Sequence, residues 1–92
     1  MSYQFRILGC GSSGGVPRVG FGWGKCDPNN KKNITLRCSL LVERTTSSKK
    51  TTVLIDTGPD MREQLLQAKI TNLDAVLYTH SHADHVHGID DL

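Results

Sequence analysis

The sequence predicts a layered α/β fold, a β-sheet with a helix packed on it, and three observations carry that reading. Four short segments alternate polar and apolar residues, or run apolar, in the manner of strands. One segment with helical spacing lies between the third and the fourth of them. Residues 9 to 24 hold seven of the nine glycines, and this irregular stretch joins the first strand to the second without dividing the chain into domains. At 92 residues the chain is at most one small domain, and a chain of that size buries only a little over ~60% of its unfolded surface.

Each element follows from its residues. In "YQFRILG" Tyr3, Phe5 and Ile7 alternate with Gln4 and Arg6, which makes a strand with one apolar face. The glycines and Pro17 then interrupt regular structure, and "CDPNNKKN" extends the loop in turn-forming residues. "ITLRCSLLVE" is the second strand, with Ile34, Leu36, Cys38, Leu40 and Val42 on one face. A polar hairpin loop, "RTTSSKK", leads into "TTVLID", a short apolar strand expected at the sheet centre. A helix is expected over 59–69, where Pro59 suits the first turn and Asp60 complements the dipole. Met61, Leu65 and Ala68 would pack it on the sheet. Leu73 to Thr79 is the fourth strand. Val53 to Ile55 and Val76 to Tyr78 are continuous apolar runs, as in strands buried on both faces. One helix covers one face, so the other is expected to need a partner.

Composition excludes several classes. A net charge of +2 is too small to imply nucleic acid. The pairs Lys31-Lys32 and Lys49-Lys50 are far apart and suit solvated loops. No apolar run approaches ~18 residues, so no membrane span is expected, and "MSYQFRILGCG" lacks a secretory leader pattern. Cys10, Cys26 and Cys38 are odd in number and widely spaced, which suits a reducing cytosol better than a disulfide framework. "GCGSSG" satisfies G-x-G-x-x-G after a strand, but a dinucleotide fold needs a helix there, and Gly15, Pro17 and Gly20 would break one. Free backbone N–H groups at Gly11, Ser12 and Ser13 could contact a phosphate. The loop could equally do no more than join two strands.

All four histidines fall in "YTHSHADHVHG", between positions 80 and 87. They follow a strand end, where layered α/β folds commonly build sites. His80 and His82 are two apart, so in extended chain their side chains point the same way. A turn at the small Ala83 would bring Asp84 and His85 back beside them. Imidazole and carboxylate suit zinc, manganese or iron. The four side chains are too many for one ion and divide into two half-sites, His80 with His82 and Asp84 with His85. Two ions ~3.5–4 Å apart could share a water and clamp a phosphoryl or carbonyl group. His87 is expected beside this set and outside it, and Asp90 and Asp91 on an exposed turn.

"THSHADHVHG" has the form H-x-H-x-D-H-x-x-G and resembles the signature of the metallo-β-lactamase superfamily. "VLIDTG" resembles that superfamily's preceding motif. "LGCGSSGGVP" is similar to the opening of its phosphodiesterase branch, which includes ribonuclease Z and phosphoribosyl cyclic phosphodiesterases. The resemblance implies an αββα sandwich of two sheets with outer helices. Residues 1–92 would be the N-terminal portion of that single domain, roughly its first half, with further ligands beyond Leu92. It implies that His80 and His82 bind one divalent ion and that Asp84 and His85 bind a second. Zinc or manganese are the expected metals. Asp84 would also serve catalysis, and Asp56 would orient the ligands by hydrogen bonding.

The implied activity is hydrolysis of a cyclic or nucleotide-like phosphodiester at a dinuclear centre with a bridging hydroxide. Ser12, Ser13 and Ser81 are then not nucleophiles. Ribonuclease Z-like RNA processing and thioester or β-lactam hydrolysis are the alternatives. A further alternative is a non-catalytic metal-binding fragment, since each half-site has only two side chains here. The expected partners are a small phosphodiester or nucleotide, and either a second copy or the remainder of the domain. Nucleic acid is not favoured, no membrane is expected, and the expected location is cytoplasmic. Some phosphonate-pathway relatives hold a structural zinc with a cysteine cluster after the glycine loop. Here only Cys26 stands in that region, so a structural zinc is not implied.

Overall fold

A computed structural model describes all of residues 1–92. Strand β1 spans Ser2–Gly9, β2 Ser39–Thr45, β3 Lys50–Ile55 and β4 Ala75–Leu77; helix α1 spans Met61–Gln67 and α2 Ala83–Val86. Single 3-10 turns occupy Lys31–Asn33 and Ile89–Asp91. The strands form one sheet in the order β1-β2-β3-β4. The first two pairings are antiparallel, and the third is parallel with α1 as the crossover.

The register decides where function can be built. Gly9 pairs with Ser39, Leu40 with Ile55, and Ile55 with Leu77. The ends of β1, β3 and β4 and the start of β2 therefore lie along one end of the sheet. The glycine loop, the segment after β3 and the histidine segment all leave from that end.

The helix face of the sheet carries the core. Leu41, Leu54 and Met61 are fully buried, with Leu8, Leu65, Ile70, Leu73 and Val76 packed against them. On the opposite face the register aligns two apolar rows, Phe5-Val42-Val53-Ala75 and Ile7-Leu40-Ile55-Leu77. That face is open, with Phe5 67% and Ile7 71% exposed. Val53 and Ile55 are half-buried, and Leu77 and Tyr78 are exposed. The apolar runs at β3 and β4 are thus buried on one face only within these residues.

Three boundaries differ from the sequence reading. The second strand begins at Ser39, not Ile34, because Thr35 and Arg37 pair with Val16 and Gly11 of the glycine loop. Helix α1 begins at Met61, not Pro59. Asp60 stands at its N-cap without capping the helix, because its carboxylate takes bonds from the backbone N–H and the guanidinium of Arg37. The fourth strand shrinks to Ala75–Leu77, because the Thr79 N–H leaves the ladder for the Asp56 side chain.

Candidate metal centre

Asp56 organises the site. It ends β3 at φ 68°, a left-handed conformation that aspartate tolerates better than most residues. The buried Ser39 hydroxyl donates to its carbonyl at 3.0 Å. The turn sends the side chain across the sheet end, where it is only 4% exposed. Its Oδ1 accepts the Thr79 N–H at 2.9 Å, and its Oδ2 accepts the Thr79 hydroxyl at 2.8 Å and His85 Nδ1 at 2.6 Å. Burial opposes its charge. The bonds from Thr79 N–H, His85 and the Thr79 hydroxyl outweigh that, so the carboxyl is held below its ordinary value.

That network assigns tautomers. An ionised carboxylate only accepts, so His85 Nδ1 carries the proton. The Thr79 hydroxyl spends its single proton on Asp56, so its oxygen accepts from His80 Nδ1, 2.9 Å away. Asp56 thus orients His85 directly and His80 through Thr79. In their neutral forms both imidazoles then present a bare Nε2, as ligating histidines with such partners do. The His80 ring lies 4.6 Å from that of His82 and 4.0 Å from that of His85, centroid to centroid. Asp84 Oδ2 stands 3.3 Å from His85 Nε2.

The backbone after β3 cradles α2. Thr57 N–H donates to His85 O at 2.8 Å, and Gly88 N–H to Thr57 O at 2.8 Å. The Thr57 hydroxyl donates to Val86 O at 3.1 Å and accepts from the Tyr78 hydroxyl at 2.9 Å. A Cβ at Gly58 would come within 2.8 Å of Asp84 O. The D-T-G and D-H-x-x-G stretches are therefore two halves of one backbone joint. His87 closes α2 through a bond from its N–H to Ala83 O, with its side chain exposed and outside the imidazole cluster. Asp90 and Asp91 lie exposed on the 3-10 turn.

One pair of the donor set, Asp84 with His85, has the spacing of two ligands to a divalent cation. No group of three or more of these side chains converges on one point. The 3.3 Å between Asp84 Oδ2 and His85 Nε2 is the edge of a tetrahedron with corners ~2 Å from its centre, the span of two zinc ligands. Two electron-pair donors facing each other at that distance suit a cation between them.

The glycine loop leaves from the same end of the sheet. None of its hydrogen bonds reaches the histidines. Gly11 spends its N–H on Leu36 O at 2.8 Å, so its backbone donor is not free for a phosphate. Gly15 closes a turn onto Ser12 O at 2.9 Å. The N–H groups of Ser12, Ser13 and Gly14 have no partner in the chain. Sequence reasoning missed Thr57, Tyr78 and Thr79. The one signal for Thr79 was a hydroxyl directly before the first histidine.

A sequence profile of the metallo-beta-lactamase superfamily matches residues 38–92, which include Asp56 and every histidine. The chain belongs to the metallo-beta-lactamase superfamily. A crystal structure described as a new diphosphatase from the PhnP family is 41% identical and superposes with a TM-score of 0.84, over 98% of this chain and 34% of that one. Zinc-bound PqqB from Methylobacterium extorquens is 20% identical, with a TM-score of 0.61 over 96% of this chain and 32% of its own, and shares the fold. A segment of an octanoyltransferase from Porphyromonas gingivalis is 48% identical over 86 residues, 94% of this chain and 17% of that protein. The sheet and its helices are thus part of a metallo-β-lactamase fold. The chain spans about a third of these solved relatives.

Proposed function

We propose that the protein carrying this chain is a metal-dependent hydrolase of phosphodiesters, acting on a cyclic or nucleotide-like ester. The observation that carries the reading is the Asp56-Thr79 network, which leaves Nε2 of His80 and of His85 bare beside His82 and Asp84. In this assignment His80 and His82 hold one divalent cation, zinc or manganese, and Asp84 and His85 hold a second. When bound there, two such ions would supply Lewis-acid chemistry, lowering the pKa of a water and offsetting charge on phosphoryl oxygens. In this proposal Asp84 takes part in catalysis, Asp56 keeps the imidazoles in register, and the Ser12–Gly14 amides receive a non-reacting phosphoryl oxygen.

Each half-site supplies two side chains, whereas catalytic zinc sites usually have three protein ligands. The proposal therefore includes ligands from residues beyond this chain. Likeness to a PhnP-family diphosphatase supports phosphorus over carbonyl chemistry. The octanoyltransferase shares only 17% of its length, so its name describes a far larger molecule. The test is hydrolysis by the full-length protein of bis-p-nitrophenyl phosphate against a glutathione thioester and a β-lactam. Faster turnover of the diester is expected. A clear preference for either carbonyl substrate would overturn the proposal.

A further inference from the structure

Arg37 and Asp60 form an ion pair joined by three hydrogen bonds, and neither belongs to the metal set. Asp60 Oδ2 accepts Arg37 Nε at 2.6 Å and the Arg37 N–H at 2.9 Å, while Oδ1 accepts Nη2 at 3.0 Å. The two side chains remain 26% and 17% exposed, and partly exposed pairs contribute little to stability. Their location is more informative. Arg37 bridges to Gly11, and its Cδ lies 3.2 Å from where a Cβ would stand on the buried Gly15, which has φ +69°. On its other side, the Arg37 Cβ lies 3.9 Å from the corresponding point on Gly58, the residue that packs on Asp84 O. Arg37 thus touches the glycine loop at Gly11 and Gly15, next to the unpartnered Ser12, Ser13 and Gly14 N–H groups, and through its Cβ it nears the turn at Gly58.

We infer that Arg37 and Asp60 are positioning residues that hold the Ser12–Gly14 amides in place to receive a phosphoryl oxygen of the substrate. The inference deepens the phosphodiesterase proposal and rests on it for the identity of the substrate. A planar guanidinium gripping both carboxylate oxygens fixes distance and orientation together, which a lysine ammonium does not. Gly15 without a side chain lets the loop lie directly on Arg37.

The test uses the full-length, metal-loaded protein and inorganic phosphate as probe, read by the amide NMR shifts of Ser12, Ser13 and Gly14. Saturable shifts are expected in the wild type. Arg37→Lys and the milder Asp60→Asn should each weaken that binding on the order of tenfold, as for a lost charged hydrogen bond. Each should also raise KM for the diester by a similar factor, with kcat within about twofold and bound metal unchanged. Absence of loop shifts in the wild type overturns the inference. So do variants that change only the melting temperature, and variants in which kcat and metal content fall together. Phosphate shifts that weaken in the variants, in a protein that hydrolyses no diester, would refute the phosphodiesterase proposal and leave the positioning role intact.

Discussion

Gly88 lies against the carbonyl of Gly58 so closely that a Cβ at Gly88 would overlap the oxygen. This contact joins the end of the histidine segment to the turn after β3. Gly88 has φ −84° and ψ 0°, which any residue adopts, so the need for glycine is steric and not conformational.

Gly88→Ala must therefore push α2 away from the turn. We expect a loss of about 1–3 kcal/mol, the usual cost of overpacking, together with reduced metal content. Thermal melting and metal analysis of the full-length protein check this. An unchanged melting temperature with full metal would show that the joint yields freely.

Thr79→Val keeps the shape of residue 79 and removes the hydroxyl between Asp56 and His80. Metal affinity should fall about 10–100-fold, as for other partners that orient ligating histidines. Asp56→Ala should be worse, since it also frees His85. A competition titration with a metal-sensitive dye measures both, and equal wild-type affinity in Asp56→Ala would remove the orienting role assigned to it.

His82→Ala and Asp84→Ala in the full-length protein should each lower bound metal and abolish hydrolysis without unfolding it. His87→Ala should be mild, because its exposed side chain stands outside the imidazole cluster. Metal stoichiometry and kcat/KM decide. A His87→Ala loss as deep as that of His82→Ala would redraw the ligand set.

The open sheet face predicts the behaviour of residues 1–92 in isolation. The rows through Phe5 and Ile7 leave an apolar patch on the order of several hundred Å2, the size at which such surfaces mark interaction sites or aggregation liabilities. Self-association is expected by light scattering, and Phe5→Lys with Ile7→Glu should reduce it. A monomer with a cooperative melt above ~60 °C, as robust small domains show, would mean that this face needs no cover.

Much of this molecule was legible in local sequence. Period-two alternation marked β1 and β2, a short apolar run marked β3, and the spacing of Met61 and Leu65 marked α1, because these patterns follow from how each element presents side chains to a core. The spacing of His80, His82, Asp84 and His85 pointed to the candidate centre, since ligand type and short-range geometry are both local properties. Tertiary structure decided the rest. Register alone brought the glycine loop, Asp56 and the histidines to one end of the sheet. Only there could the Asp56 carboxylate, buried by the fold, reach Thr79 and His85 and set which imidazole nitrogens are bare. Boundary errors at residues 34, 59 and 79 share a cause: backbone and side-chain groups found partners more than twenty residues away or across a loop, as Asp60 did in Arg37 and Thr79 in Asp56. Such bonds depend on which segments meet in space, and a periodicity read along one segment holds no information about that.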